Sequence, residues 1–122
     1  MYTGLIHSVG TILESIPTNA GVRLVVAAPP TLLTDPGPTP GESINIDGCC
    51  LSLVESRAES DHLALAFDAT PQTLANTTLG RLQPGARIHL ERSCTPTTLL
   101  GGHLVQGHVD AVATISPVTK HP

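Results

Sequence analysis

Apolar and polar residues alternate in six short runs along the chain, and turn-forming residues close each run. Alternation with a period of two is typical of β-strands that bury one face. In the sixth run, for example, Ile88 and Leu90 face inward while Glu91 faces outward. The pattern therefore predicts six strands, over residues 5–12, 22–28, 43–46, 49–55, 62–67 and 86–92.

Six short strands in a chain of this length favour one all-β domain, either a small closed barrel or a sandwich. The stretch 29–41 contains five prolines and is predicted to be a connection. Thr70 and Pro71 are typical of the N-cap and the first position of a helix. That helix is predicted to be short and to end near Asn76.

The dipeptide Asp47-Gly48 joins the third and fourth predicted strands. Asp-Gly favours a type I′ turn, which fixes the register of its hairpin. That register places Asn45 opposite Cys50, and opposed residues share a face of the sheet. One face is thus predicted to pack in the core, with Ile44, Ile46, Cys49, Leu51 and Leu53.

The other face of this hairpin carries small polar groups and a thiol, from Ser43, Asn45, Cys50 and Ser52. On pattern alone, a solvated outer face is the simpler interpretation. Exposed strands, however, usually carry long charged side chains or threonines, and cysteine is usually buried. Small donors beside a thiol leave room for a ligand, so a binding surface is the second interpretation.

Residues 2–12 recur at residues 105–115, a shift of 103 positions. The two copies share four identities, among them Gly4 with Gly107, where chance alone gives on the order of one. The repeat predicts a barrel over residues 1–98, followed at 99–122 by a linker and the first strand of an incomplete second barrel. Residues 107–115 are predicted to be a strand of the second barrel that lacks its neighbours here, so a frayed tail or pairing in a homodimer is expected.

The composition narrows the class of protein further. Hydrophobic residues make up 40% and charged residues 13% of the chain, which excludes a disordered protein. The net charge is −4 and the six basic residues are scattered, so no nucleic-acid partner is expected. The first residues have neither the basic nor the apolar region of a secretory leader, so none is expected, and no apolar run approaches the roughly 18 residues of a membrane span. Three cysteines, two of them adjacent, indicate reduced thiols in the cytoplasm rather than a disulfide framework.

Six histidines and three cysteines raise the question of a metal site. His103 and His108 are five residues apart and follow Gly101-Gly102, which excludes the i, i+4 pair of a zinc-binding helix. On a strand, an odd offset puts them on opposite faces. Because Cys-x-x-Cys is also absent from the sequence, no metal is expected.

Several segments of the chain resemble riboflavin synthases. Residues 1–6 resemble the Met-Phe-Thr-Gly start of these enzymes, and residues 47–53 resemble their Asn-Gly-x-Cys-Leu-Thr-Val hairpin. Residues 101–110, Gly-Gly-His-Leu-Val-Gln-Gly-His-Val-Asp, resemble almost letter for letter the motif that joins the family's two barrels. Residues 90–92 are similar to the Leu-Glu-Arg strand before that motif. The resemblance covers most of the chain, in order and at suitable spacing.

The resemblance implies a Greek-key barrel of six strands, with a short helix and a truncated second repeat. It also implies the family's reaction, in which two molecules of 6,7-dimethyl-8-ribityllumazine give riboflavin and a 5-amino-6-ribitylamino pyrimidinedione without a cofactor. In the family, the active site lies between the amino-terminal barrel of one subunit and the carboxy-terminal barrel of its neighbour in a homotrimer. A chain as short as this one is expected to be a monomer or a homodimer.

Ser43, Cys50 and His108 match the positions of the family's catalytic groups. The donor lumazine is electrophilic at C7, which calls for a nucleophile from Cys50, Ser43 or a positioned water. The acceptor loses a proton from its 7-methyl group, which suits a base such as His108. By the same resemblance, the residues expected to contact substrate are Gly4, Leu5, Ile6, Cys50, Leu51, Ser52, Asp68, Ala69, Thr70, Pro71, Gln72, Thr73, Gly107, His108 and Val109.

The chain departs from the family pattern at three places. Tyr2 stands where phenylalanine is usual, which adds a hydroxyl near the site, and Asp47 replaces an asparagine. The family's Glu-Thr-Leu-Arg stretch is Gln-Thr-Leu-Ala at residues 72–75, and the loss of both charges is expected to weaken ligand binding. The alternative function is therefore a non-catalytic barrel that binds a lumazine or a flavin.

Overall fold

Six antiparallel strands close into a barrel in the computed structural model, which describes residues 1–32 and 36–120. The strands are β1 (Ser8–Thr18), β2 (Gly21–Ala28), β3 (Ser43–Ile46), β4 (Cys49–Ala58), β5 (Leu63–Ala69) and β6 (Arg87–Arg92). Their order around the barrel is β1-β2-β5-β4-β3-β6, so the β2–β3 and β5–β6 connections join strands that are not neighbours. This confirms the all-β Greek-key barrel expected from the sequence.

The hairpin of β3 and β4 has the register predicted from its turn, with Asn45 paired to Cys50. Asp47 has a φ of 48° and Gly48 a φ of 89°. These are the positive values that a type I′ turn requires at both central positions. Asn45 stabilises the turn, because its side-chain oxygen accepts a hydrogen bond from the Gly48 amide at 2.8 Å.

Strand β1 differs most from the prediction, since it begins at Ser8 and continues to Thr18. In the sequence, the adjacent apolar residues Ile12 and Leu13 interrupt the alternation. The register of β1 against β2 shifts between Ile12 and Glu14, as in a β-bulge that absorbs one extra residue. A similar shift lets β4 run past its predicted end.

The barrel interior is filled by aliphatic side chains and one aromatic residue, Phe67. All five hairpin residues that were predicted to face the core belong to this cluster. Each large apolar side chain that is fully buried contributes about 1.5–3 kcal/mol to stability. The cluster comprises Ile12, Leu24, Val26, Ala28, Leu32, Ile44, Ile46, Cys49, Leu51, Leu53, Leu63, Leu65, Phe67, Leu79, Ile88 and Leu90.

Helix α1 (Pro71–Asn76) is the short helix predicted after Thr70. The Thr70 hydroxyl oxygen accepts a hydrogen bond from the Thr73 amide at 3.3 Å, which caps the first turn. A 3-10 turn at Thr78–Arg81 follows the helix, and another lies at Pro30–Leu32. None of the helices in the described residues is long and apolar enough to cross a membrane.

Two segments outside the barrel sheet, residues 1–7 and 93–120, meet at an isolated bridge between Tyr2 and Val105. The amide of each donates to the carbonyl of the other at 2.8 Å. Residues 106–120, which include the segment expected to lack its strand neighbours, have no regular secondary structure. The reason is a lack of pairing partners, since one backbone hydrogen bond, from the Cys50 amide to the Gly107 carbonyl, joins this described stretch to a strand.

Candidate functional site

A cleft of about 230 Å³ opens between the start of β4, helix α1 and the segment 107–109. Each wall comes from a different part of the sequence: two thiols from β4, polar side chains from the helix, and a glycine, a histidine and a valine from the C-terminal segment. The lining residues are Cys49, Cys50, Thr70, Gln72, Thr73, Asn76, Thr77, Gly107, His108 and Val109.

Seven of the residues expected to contact substrate line this cleft. Two of them, Cys50 and His108, were also expected to be catalytic, and they come from opposite halves of the chain. The structure therefore brings the expected nucleophile and the expected base to one site. The seven are Cys50, Thr70, Gln72, Thr73, Gly107, His108 and Val109.

The other expected site residues lie outside the cleft lining. Leu51 belongs to the barrel core, because it points to the opposite face of β4 from Cys50. Asp68 is held by Arg23, whose guanidinium donates to both carboxylate oxygens at 2.7 and 2.8 Å and lowers the pKa of Asp68 from its ordinary value. The residues outside the lining are Gly4, Leu5, Ile6, Ser43, Leu51, Ser52, Asp68, Ala69 and Pro71.

Three lining residues, Cys49, Asn76 and Thr77, were not expected from the sequence. Asn76 and Thr77 follow Thr73 by three and four positions, the spacing of neighbours on one helix face. Helical periodicity applied to the predicted helix is the signal that could have found them. Cys49 belongs to the core as predicted and also borders the cleft. Burial, and then the neighbouring Cys50, raise the pKa of the Cys49 thiol, which favours its protonated form.

Cys50 is held on two sides by the terminal segments of the chain. Its amide donates to the Gly107 carbonyl at 2.8 Å, and its sulfur accepts a hydrogen bond from the Tyr2 hydroxyl at 3.0 Å. Burial, and then the hydrogen bond to Cys50, raise the pKa of Tyr2 far above its ordinary value, so the phenol stays protonated and donates. The hydroxyl that distinguishes Tyr2 from the usual phenylalanine therefore touches the site.

Gly107 lets the C-terminal segment approach β4 closely. A Cβ at this position would lie 2.7 Å from the amide nitrogen of Cys50 and 2.9 Å from its Cβ. These distances are too short for any side chain, because the nearest atom belongs to the backbone of Cys50 and cannot rotate away. Glycine at this position therefore allows the backbone before His108 to lie against Cys50.

The N-terminal segment is fixed to β6 by Glu91. The amide and the hydroxyl of Thr3 donate to one carboxylate oxygen at 2.7 and 2.8 Å, and the Gly4 amide donates to the other at 3.1 Å. Glu91 faces outward from the barrel as predicted, yet it is 1% exposed because this segment covers it. The carboxylate thereby holds the segment that carries Tyr2.

Helix α1 is tied to the C-terminal segment by Asn76, whose side-chain nitrogen donates to the Asp110 carbonyl at 3.4 Å. The Thr77 hydroxyl is also engaged, since it donates to the Thr73 carbonyl at 2.7 Å. By contrast, neither the Gln72 side chain nor the His108 ring has a hydrogen-bond partner within the described part of the chain, and both are exposed in the cleft. Their polar atoms are available to a ligand.

A wider groove of about 810 Å³ lies elsewhere on the surface, with Glu42 and Arg92 in its wall. Its charged groups already neutralise each other, because Nε and Nη2 of Arg92 contact the Glu42 carboxylate at 2.6 and 2.8 Å. The cleft offers polar groups without such partners and is the better candidate site. Across residues 1–32 and 36–120, no group of three or more His, Cys, Asp or Glu side chains is arranged to hold a metal ion.

The Lumazine binding domain family matches residues 3–93, and the chain belongs to this family. The chain is 35% identical over 121 residues to the riboflavin synthase of Meyerozyma guilliermondii, covering 94% of this chain and 49% of that protein. It is 36% identical over 115 residues to the riboflavin synthase of Mycobacterium tuberculosis, covering 94% of this chain and 54% of that protein. Its fold is similar to that of LumP complexed with riboflavin, with a TM-score of 0.71 at 23% identity over 91% of this chain and 56% of that one. The chain thus spans about half the length of the relatives it matches.

Proposed function

We propose that this chain is the lumazine-binding part of a riboflavin synthase. The reaction is the dismutation of two molecules of 6,7-dimethyl-8-ribityllumazine to riboflavin and a 5-amino-6-ribitylamino pyrimidinedione. One observation carries the proposal: Cys50 and His108 line the same cleft, in a chain whose relatives at about 35% identity are riboflavin synthases.

The cleft is proposed to hold one lumazine or one riboflavin ring system. Its volume of about 230 Å³ is small even for a single ligand of that class, so two stacked rings do not fit. Gln72 and the threonine hydroxyls of the helix supply donors and acceptors for the pyrimidine edge. The Gly107 backbone, which lies against Cys50, forms part of the cleft wall.

His108 is proposed as the base that removes a proton from the 7-methyl group of the acceptor. Its ring has no other hydrogen-bond partner in the described residues, which leaves a nitrogen available to substrate. For the nucleophile at C7 of the donor, Cys50 is favoured over Ser43, since Cys50 lines the cleft and Ser43 does not. A positioned water is the third option.

Two lumazines are proposed to meet where two barrels face each other, because one cleft takes one ring. A protein with both barrels is then a homotrimer, whereas this chain alone is a monomer or a homodimer that turns over slowly. The three free cysteines favour the reducing cytoplasm as its location.

A fluorescence titration tests the binding step, with riboflavin at fixed concentration and the folded chain in excess. We expect riboflavin emission to be quenched to saturation, and His108→Ala to weaken binding. His103→Ala is the matched control, because His103 is exposed on the same segment but does not line the cleft. Emission that stays unquenched by the folded wild-type chain would contradict the proposal.

Catalysis is tested separately, by joining a second lumazine-binding barrel to the chain and measuring riboflavin formation. His108→Ala and Cys50→Ala in that protein are expected to slow turnover by about tenfold or more. Tight binding with no riboflavin formation, even with the second barrel present, would identify the chain as a non-catalytic binder of lumazine or flavin.

A further inference from the structure

Tyr2 is the only tyrosine of the chain, and it is fully buried although it does not belong to the barrel core cluster. Its hydroxyl lies 3.0 Å from the Cys50 sulfur. The backbones on both sides of this contact are fixed, Tyr2 by its two hydrogen bonds to Val105 and Cys50 by its hydrogen bond to Gly107. The oxygen–sulfur distance is therefore set by the packing of three segments and not by one flexible side chain.

The hydrogen bond runs from the phenol to the sulfur. The buried phenol keeps its proton, and within the described residues Cys50 is its one side-chain partner. A phenylalanine would fill the same space without donating, so what the hydroxyl adds here is this hydrogen bond. A hydrogen bond donated to the sulfur fixes the direction in which the sulfur faces the cleft.

We infer that Tyr2 is a positioning residue for the Cys50 thiol, orienting the sulfur in the cleft. The role toward lumazine rests on the proposed function, but the effect on thiol chemistry does not. The other titratable groups around the pair are Cys49, Glu91 and His108. Substitution of Tyr2 leaves all three in place.

The test is the rate at which iodoacetamide alkylates Cys50 in the wild-type chain and in Tyr2→Phe, resolved by mass-spectrometric peptide fragmentation. The sulfur displaces iodide, a carbon–sulfur bond forms, and the thiol proton goes to solvent. In Tyr2→Phe the sulfur is no longer held toward the cleft, so the rate at which Cys50 is alkylated at neutral pH is expected to fall by about fourfold, within what one hydrogen bond contributes.

Cys94 is the internal control, because it is half-buried and its amide donates to the Met1 carbonyl of the same N-terminal segment at 2.9 Å. If Tyr2→Phe merely loosened that segment, Cys94 would be alkylated faster, whereas loss of the hydrogen bond alone leaves its rate unchanged. A folded variant whose Cys50 reacts as fast as wild type at neutral pH, or faster, overturns the inference.

A second measurement needs no variant. The chain has no tryptophan, so its near-ultraviolet absorbance and intrinsic emission report chiefly on Tyr2. Alkylation of Cys50 in the wild-type chain is expected to change this tyrosine signal, and an unchanged signal overturns the inference. A different result would contradict the proposed function. If the folded chain did not bind riboflavin, the proposed function would be wrong, but the effect of Tyr2 on Cys50 would still stand.

Discussion

The carboxylate of Glu91 accepts two hydrogen bonds from Thr3, one from the amide at 2.7 Å and one from the hydroxyl at 2.8 Å. This contact joins the last strand of the barrel to the third residue of the chain. Tyr2 precedes Thr3 and contacts Cys50. The contact between Thr3 and Glu91, which lies outside the cleft, therefore helps to hold Cys50 in the cleft. The site therefore depends on side chains that do not line it.

Replacing Glu91 by glutamine is expected to destabilise the fold. The side chain of glutamine keeps one acceptor oxygen but replaces the other with an NH2 group. That NH2 group would face the donors of Thr3 or Gly4, so a buried hydrogen bond is lost. The expected loss in the free energy of unfolding is about 1–3 kcal/mol, measured by denaturant titration. Glu55→Gln is the control, because Glu55 is exposed on β4. A loss for Glu91→Gln no larger than that of Glu55→Gln would show that the contact is not stabilising.

Gly107→Ala is expected to open the cleft on the side of β4. The added Cβ would meet the Cys50 amide nitrogen at 2.7 Å, so the hydrogen bond between these residues must lengthen or break. Riboflavin affinity, measured by fluorescence titration, is expected to fall by about tenfold, the equivalent of one lost hydrogen bond. Gln106→Ala, at the exposed preceding residue, is expected to bind as wild type. Equal affinities for the two variants would contradict the close approach.

Stability is expected to fall at alkaline pH because of Tyr2. Above its ordinary pKa of 10.0, the phenol loses its proton in the unfolded chain but keeps it in the folded one, whose pKa is raised. The unfolded state then binds fewer protons, so the free energy of unfolding falls by up to about 1.4 kcal/mol per pH unit. Below pH 10.0 this contribution is constant. Denaturant titrations of wild type and Tyr2→Phe, at pH values below and above 10.0, test this expectation. If the free energy of unfolding depended on pH in the same way in both proteins, the expectation would be contradicted.

The chain alone is expected to form riboflavin at least about a hundredfold more slowly than a protein with both barrels, because a positioned second lumazine is missing. Sedimentation measured beside a discontinuous riboflavin assay tests this. A small residual rate is consistent with a homodimer that pairs two clefts around a two-fold axis. A monomer with the turnover of the two-barrel protein would overturn the requirement for a second barrel.

Local chemistry made the hairpin of β3 and β4 predictable. The Asp47-Gly48 turn fixes its own backbone angles and thereby the pairing of every residue that follows, so the register can be derived from the amino-acid sequence alone. The same holds for the start of helix α1, where the Thr70 side chain caps the first turn and the Pro71 ring fixes its own φ. Strand β1 was harder, because its bulge depends on how β2 pairs with it.

The residues of the site could be predicted only where they lie in a motif that resembles the family. Cys50 and His108 were found through a resemblance, since no spacing rule connects residues in a hairpin and in a distant extended segment. The burial of Glu91 could not be predicted from the alternation of β6, because the segment that covers it folds back from the other end of the chain. Residues 107–115 alternate as a strand does but form none here, because alternation shows that a segment can pair and not that a partner lies beside it.

The most direct test of the central claim is to titrate riboflavin into the nitrogen-labelled chain and to follow the amide resonances by NMR. We expect the shifts to concentrate at Cys50, Thr73, Asn76 and residues 107–109, around the cleft. We expect the amides beside the wider groove at Glu42 and Arg92 to stay unchanged. Shifts centred on that groove, or no shifts with riboflavin in excess over the folded chain, would contradict the assignment of the cleft as the lumazine site.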